Sequence, residues 1–137
     1  GPDFKKSLKL INKLNLSENI TVFDELPRKE LMLVMKFSDL ICGEYVHSWR
    51  SGGVFYEALL SKRILMTYRD EKKYADIYPI LNAKTPEQIC NQIYYYFNNK
   101  KIIEKKTEEA FLWFKEKVIN KSLINYFNII NNEQSKL

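Results

Sequence analysis

Apolar and polar positions alternate along this chain so as to mark short apolar runs separated by amphipathic stretches. Asp3 to Leu16 carries Phe4, Leu8, Leu10, Ile11, Leu14 and Leu16 among lysines at mostly helical spacing, and Asp3 is placed to cap the start. Asn19 to Phe23 (NITVF) is short, β-branched and bounded by polar residues, which predicts a buried strand. Pro27 marks a loop into a second helix, filled by Leu31, Leu33, Val34, Met35 and Phe37. Asp39 then introduces a strand at Leu40–Cys42. After a polar, aromatic loop, Gly52-Gly53 opens a helix holding Val54, Phe55, Ala58, Leu59 and Leu60, which ends near Ser61-Lys62. Ile64 to Tyr68 is the next strand.

Arg69 to Asp76 is mostly charged and reads as a surface loop or short helical turn, and Tyr78 to Asn82, with Pro79, as a short strand. Thr85-Pro86-Glu87-Gln88 is a strong helix start: Thr85 as N-cap, Pro86 at the first position and Gln88 placed for a capping box. That helix runs to about Asn98. Two more follow, roughly Lys101–Val118 and Leu123–Asn131, before a polar tail at 132–137 that is expected to fray. There is no internal repeat, and no linker long enough to split the chain. Strands alternating with helices predict an α/β fold: a partial doubly wound (Rossmann-like) parallel sheet of three to four strands flanked by helices, in one domain over residues 1–131.

Composition changes this picture little. At 137 residues, 45% hydrophobic and 28% charged, the chain is an ordinary globular domain, long enough to bury a core. No apolar run approaches the roughly 20 residues a membrane span requires, so a cytoplasmic location is the default expectation. Cys42 and Cys90 sit inside apolar patterns and are expected to be buried free thiols. The net charge of +5 comes from lysines and arginines interleaved with acids. No recognition-helix, zinc or RNA-binding signature accompanies them, so a nucleic-acid partner is not expected. A solvated basic surface, or a patch facing anionic lipid or a phosphorylated ligand, fits better.

In a doubly wound sheet ligands bind beyond the carboxyl ends of the strands, which points to the loop between Gly43 and Gly53. Gly52 and Gly53 lack a Cβ and stand where exposed N–H groups of a helix start favour phosphate. Glu57 lies one turn into an otherwise apolar helix, where a carboxylate is costly to bury without a donor to hold. It bonds either to a local group or to two hydroxyls of a sugar. His47, the only histidine, has Glu44, Trp49 and Arg50 around it. It reads as a general base, a phosphate contact or a plain loop histidine. No cluster of further ligands accompanies it, and no metal is expected.

Five segments in order, NLSENITVF (15–23), LPRKEL (26–31), SDL (38–40), GVFYEALL (53–60) and TPEQI (85–89), resemble the C-terminal, donor-binding domain of retaining GT-B glycosyltransferases, the group 1 family. The resemblance covers nearly the whole chain, and its specific part is the glycine-to-Glu-Ala segment. It implies binding of a nucleotide-diphospho-sugar as substrate, with no separate cofactor. Glu57 matches the second acid of the family's Glu-x7-Glu motif, which holds the ribose hydroxyls. Gly52, Gly53 and Val54 match the helix start whose N–H groups face the phosphates, and the loop at Asp24–Arg28 would lie near the base, with Arg28 a candidate contact.

The chain departs from the family at three places. The first acid falls on Trp49, with Glu44 as a displaced substitute and Glu44 and His47 the only catalytic candidates. Lys62-Arg63-Ile64 stands where Gly-Lys-Pro is usual, so a lysine in the left-handed conformation, costing roughly 1 kcal/mol, or a different turn is expected. The resemblance also leaves no counterpart for the two opening strands, the phosphate-clamping Arg and Lys, or the acceptor-binding domain. Gly1-Pro2 reads as a tag remnant or as the end of the glycine-rich loop after the second strand.

The expectation is therefore the donor-binding part of a hexosyl-type glycosyltransferase acting on a surface glycan, inactive by itself. The alternative is a non-catalytic scaffold that keeps the fold without the site. Expected partners are the nucleotide-sugar, the missing domain or a partner chain, a second copy through an exposed sheet edge, and the inner face of the membrane.

Overall fold

The computed structural model describes residues 3–23, 25–48, 52–74 and 77–134, with side chains as far as Asn131. Expectations for Gly1-Pro2, Asp24, Trp49, Asp76 and the last three residues lie outside the described residues. The chain divides into two compact units, Gly1–Glu30 and Leu31–Leu137.

The first unit holds α1 (Phe4–Lys13) and the first turn of α2 (Arg28–Phe37). Asp3 stands at the N-cap position, but its side chain makes no capping bond: the Lys6 ammonium, one turn on, takes the carboxylate at 2.9 Å. The helix ends in a Schellman motif. Asn15 adopts φ 54° there, while Leu16 N–H donates to the Ile11 carbonyl and Asn15 N–H to that of Asn12, both at 3.1 Å. The strand expected over residues 19–23 does not form, and Ile20, Val22 and Phe23 are exposed. A strand exists only as one side of a ladder, and among the described residues of this unit there is no partner strand.

The second unit is built on a three-stranded parallel sheet flanked by helices, in the order β1 (Leu40–Cys42), β2 (Ile64–Thr67), β3 (Leu81–Asn82). Ile41 pairs with Leu65 and Met66 with Leu81. β2 is central and wholly buried, as a strand covered on both faces must be. Leu65 and Ile41 face one core with Phe55, Ala58 and Leu59 of α3 (Gly53–Leu60) and Ala110 and Phe114 of α5 (Lys100–Phe114). Ile64, Met66 and Leu81 face the other with Tyr96 of α4 (Pro86–Asn98) and Ile103 of α5. Each fully buried Leu or Ile contributes about 1.5–3 kcal/mol. β3 is shorter than the expected run from Tyr78, because Pro79 has no N–H to give a ladder.

α4 starts as its sequence predicts, with the Thr85 hydroxyl and Gln88 side chain forming a reciprocal capping box. The break expected near residues 119–122 is absent. α5 passes through a π-helical segment (Lys115–Asn120) into α6 (Lys121–Gln134). Ile-Asn-Lys-Ser contains no glycine or proline to stop a helix, and the wider turn keeps the ladder continuous. Cys42 and Cys90 are free but exposed, against the expected burial. Cys42 ends the edge strand β1, and Cys90 lies on the outer side of α4. Among the described residues, no helix is long and apolar enough to cross a membrane.

Candidate functional site

Parallel strands deliver their connecting loops to one edge of the sheet. Here the ladder continues past the strands: Gly43 N–H donates to the Met66 carbonyl (2.8 Å), Tyr68 N–H to that of Glu44 (2.9 Å) and Ala83 N–H to that of Thr67 (3.1 Å). The buried Thr67 hydroxyl adds a second bond to the Glu44 carbonyl at 2.6 Å. The backbone of Glu44 is therefore fixed from below while its carboxylate remains at the surface. That carboxylate meets His47 Nδ1 at 3.0 Å, with both side chains well exposed. Ser48 Oγ accepts from Asp70 N–H at 2.7 Å, which ties the loop after β1 to the loop after β2.

A second fixed layer lies beneath the loop after β2. Arg69 is buried, its Nη1 donating to the Tyr78 carbonyl at 2.7 Å and its guanidinium 5.4 Å from the Tyr78 ring. Asn82 clasps the Arg69 backbone at both ends, accepting from its N–H and donating to its carbonyl at 2.9 Å each. Burial lowers the Arg69 pKa, opposed by Tyr78 and Glu71. Burial also pushes the Tyr78 phenol up to about 12, against the pull of Arg69. The Tyr45 phenol is raised too, first by burial and then by the Cys42 thiol beside it.

The glycines divide sharply. A Cβ on Gly43 would lie 2.9 Å from both Phe55 and the Thr67 hydroxyl, so this position admits only hydrogen. On Gly52 or Gly53 it would meet nothing within 4 Å among the described residues. Gly52 is extended (φ −165°) at the N-cap of α3, its carbonyl accepting from Phe55 and Tyr56 N–H. Neither glycine of the pair is in the left-handed region. Gly53 and Val54 occupy the first two helical positions, whose N–H groups have no intrahelical carbonyl to bond. Val54 is half-buried against the core, and Glu57 is half-buried one turn further along the same helix.

The helix end shows how the missing glycine is tolerated. Lys62 adopts φ 51°, with its N–H on the Leu59 carbonyl and that of Arg63 on the Ala58 carbonyl: a Schellman motif carrying a lysine. The Lys62 ammonium reaches the Glu108 carboxylate at 3.4 Å and the Phe111 ring at 4.3 Å. Arg63 donates to the Lys36 carbonyl.

The structure thus places Gly52, Gly53, Val54 and Glu57 on one helix and pairs Glu44 with His47. Arg28, exposed at the start of α2, belongs to the Gly1–Glu30 unit and is described with it. Gly43, Thr67, Arg69 and Asn82 were not singled out from the sequence. A glycine directly after an apolar strand was the available signal for Gly43. Arg69 is disguised by the charged run it opens. No group of His, Cys, Asp or Glu among the described residues is arranged to hold a metal. Comparison with protein-family models, curated proteins and solved structures finds no match for this chain.

Proposed function

We propose that the carboxyl edge of the sheet binds a nucleotide-diphospho-sugar, as the donor-binding part of a retaining GT-B glycosyltransferase that builds a surface glycan in the cytoplasm, against the inner face of the membrane. The observation that carries this reading is the start of α3. Among the described residues neither backbone conformation nor packing requires Gly52 or Gly53, and the N–H groups of Gly53 and Val54 at this helix start suit an anion. Glu57, half-buried one turn on, is the carboxylate assigned to the ribose hydroxyls in this reading. The strand order supports the same reading, since consecutive parallel strands with a core on each face are what one half of a doubly wound sheet requires. The Glu44–His47 pair lies on the same rim, and the chemical step is completed by groups outside this chain.

Titration with UDP, GDP and ADP, read by calorimetry and thermal shift, tests this. Ligand at about ten times its dissociation constant adds about 1.4 kcal/mol of stability, and Glu57→Ala abolishes the response. The second reading, a scaffold without a donor site, is favoured by α6, where Leu123, Ile124, Tyr126, Phe127 and Ile129 are more than half exposed. No response to any nucleotide at millimolar concentration decides for it.

A further inference from the structure

A polar groove runs along β3 and α4, apart from the start of α3. Two concavities of about 390 and 450 Å³ share Asn82, Asn91 and Gln92 in their lining and so lie side by side. Tyr68 and Lys84 stand at one end, Tyr95 and Lys106 at the other. The amides of the floor are held by one half each. Gln88 Oε1 accepts from the N–H groups of Lys84 and Thr85, and Gln92 Nε2 donates to the Asn82 carbonyl at 3.2 Å. What remains open is complementary: two N–H donors on Gln88 and an acceptor on Gln92, with the exposed Asn91 amide between them.

We infer that this groove binds an acidic saccharide. Amides fixed at one end present donor and acceptor together, the pattern that neighbouring sugar hydroxyls require, with little ordering left to do on binding. The tyrosine ring at each end is already faced by a lysine, Lys84 4.6 Å over Tyr68 and Lys106 5.6 Å over Tyr95, which leaves the amides to hold the sugar. Lys84, at the Tyr68 end, is within reach of an anionic group on a sugar held there. Glu71 lines the opposite end, where its carboxylate is held by Asn82 Nδ2 at 3.1 Å, so the anionic group belongs at the Lys84 end. One lysine at each end, with an acid beside one of them, is too sparse a charge pattern for a nucleic-acid backbone. This inference does not depend on the nucleotide reading.

The test is an amide NMR titration of the full chain with a hyaluronan tetrasaccharide and, separately, with neutral maltotetraose. The acidic sugar shifts the side-chain amide signals of Asn91 and Gln92 at lower concentration than the neutral one does. Asn91→Ala weakens binding about tenfold, and Lys84→Gln removes the preference for the acidic sugar. Both substitutions are at exposed positions, and retention of the remaining spectrum confirms folding. No shift with either sugar at about 10 mM overturns the proposal, as does unchanged binding in Asn91→Ala. A nucleotide titration of the same sample is read at Gly53 and Val54, so the two sites fail or succeed separately.

Discussion

A Cβ placed on Gly43 meets Phe55 and Thr67 at 2.9 Å, whereas on Gly52 or Gly53 it meets no heavy atom of the described residues within 4 Å. These glycines bracket one loop, at the floor and at the rim of the same sheet edge. On the floor, Gly43 lets β1 lie against α3 and the Thr67 side chain, and the Glu44 backbone is held by two bonds from β2. At the rim, the pair adopts backbone angles open to other residues and leaves space unfilled. Among the described residues, packing explains the first glycine and leaves the other two without a structural role.

That contrast is most open to attack at the floor. Gly43→Ala is expected to lose about 2 kcal/mol, because the neighbours are a packed ring and a hydrogen-bonded threonine rather than a flexible chain end. Urea unfolding measures it, and a loss below about 0.5 kcal/mol would remove the distinction between floor and rim. Alkaline pH strikes the second fixed layer, beneath the loop after β2. Tyr78, buried with its phenol raised to about 12, holds more protons folded than unfolded above pH ~10. Its contribution is therefore fully present below pH ~10 and is lost as pH rises through about 12, amounting to about 1.4 kcal/mol at pH ~11. Urea midpoints followed across that window should fall, and Tyr78→Phe should flatten the decline.

How much of this was legible in sequence follows from what each segment needs from others. β1, β2 and α3 could be read locally, and the Thr85 capping box is a property of four consecutive residues. The segments at 19–23 and 78–82 looked alike as candidate strands, yet only the second joins the sheet, and only through Leu81 and Asn82. The difference lies in the presence of a partner strand, which no local pattern records. The floor of the site was hidden for a related reason. Arg69 and Asn82 are 13 residues apart in sequence and clasp each other only once β2 and β3 are side by side. The rim glycines and Glu57 were legible because a strand–glycine–helix order is local.

Smaller effects lie at the two ends of α3. Lys62→Gly relieves a left-handed lysine, a gain of about 1 kcal/mol offset by loss of the exposed contacts to Glu108 and Phe111. A net gain of about 0.5 kcal/mol is expected in urea unfolding; a net loss would mean that the lysine contacts outweigh the strain. Gly53→Ala is the finest test. Open space and an ordinary helical backbone predict a gain of about 0.4 kcal/mol, since alanine restricts the unfolded chain and fits the helix. The same methyl would stand beside the N–H groups proposed to receive a diphosphate, weakening nucleotide binding about tenfold. Unfolding and nucleotide titration on this one variant should therefore move in opposite directions. If stability falls, the rim glycines serve the fold after all; if stability rises with affinity unchanged, the anion sits elsewhere and Glu57 loses its proposed neighbour.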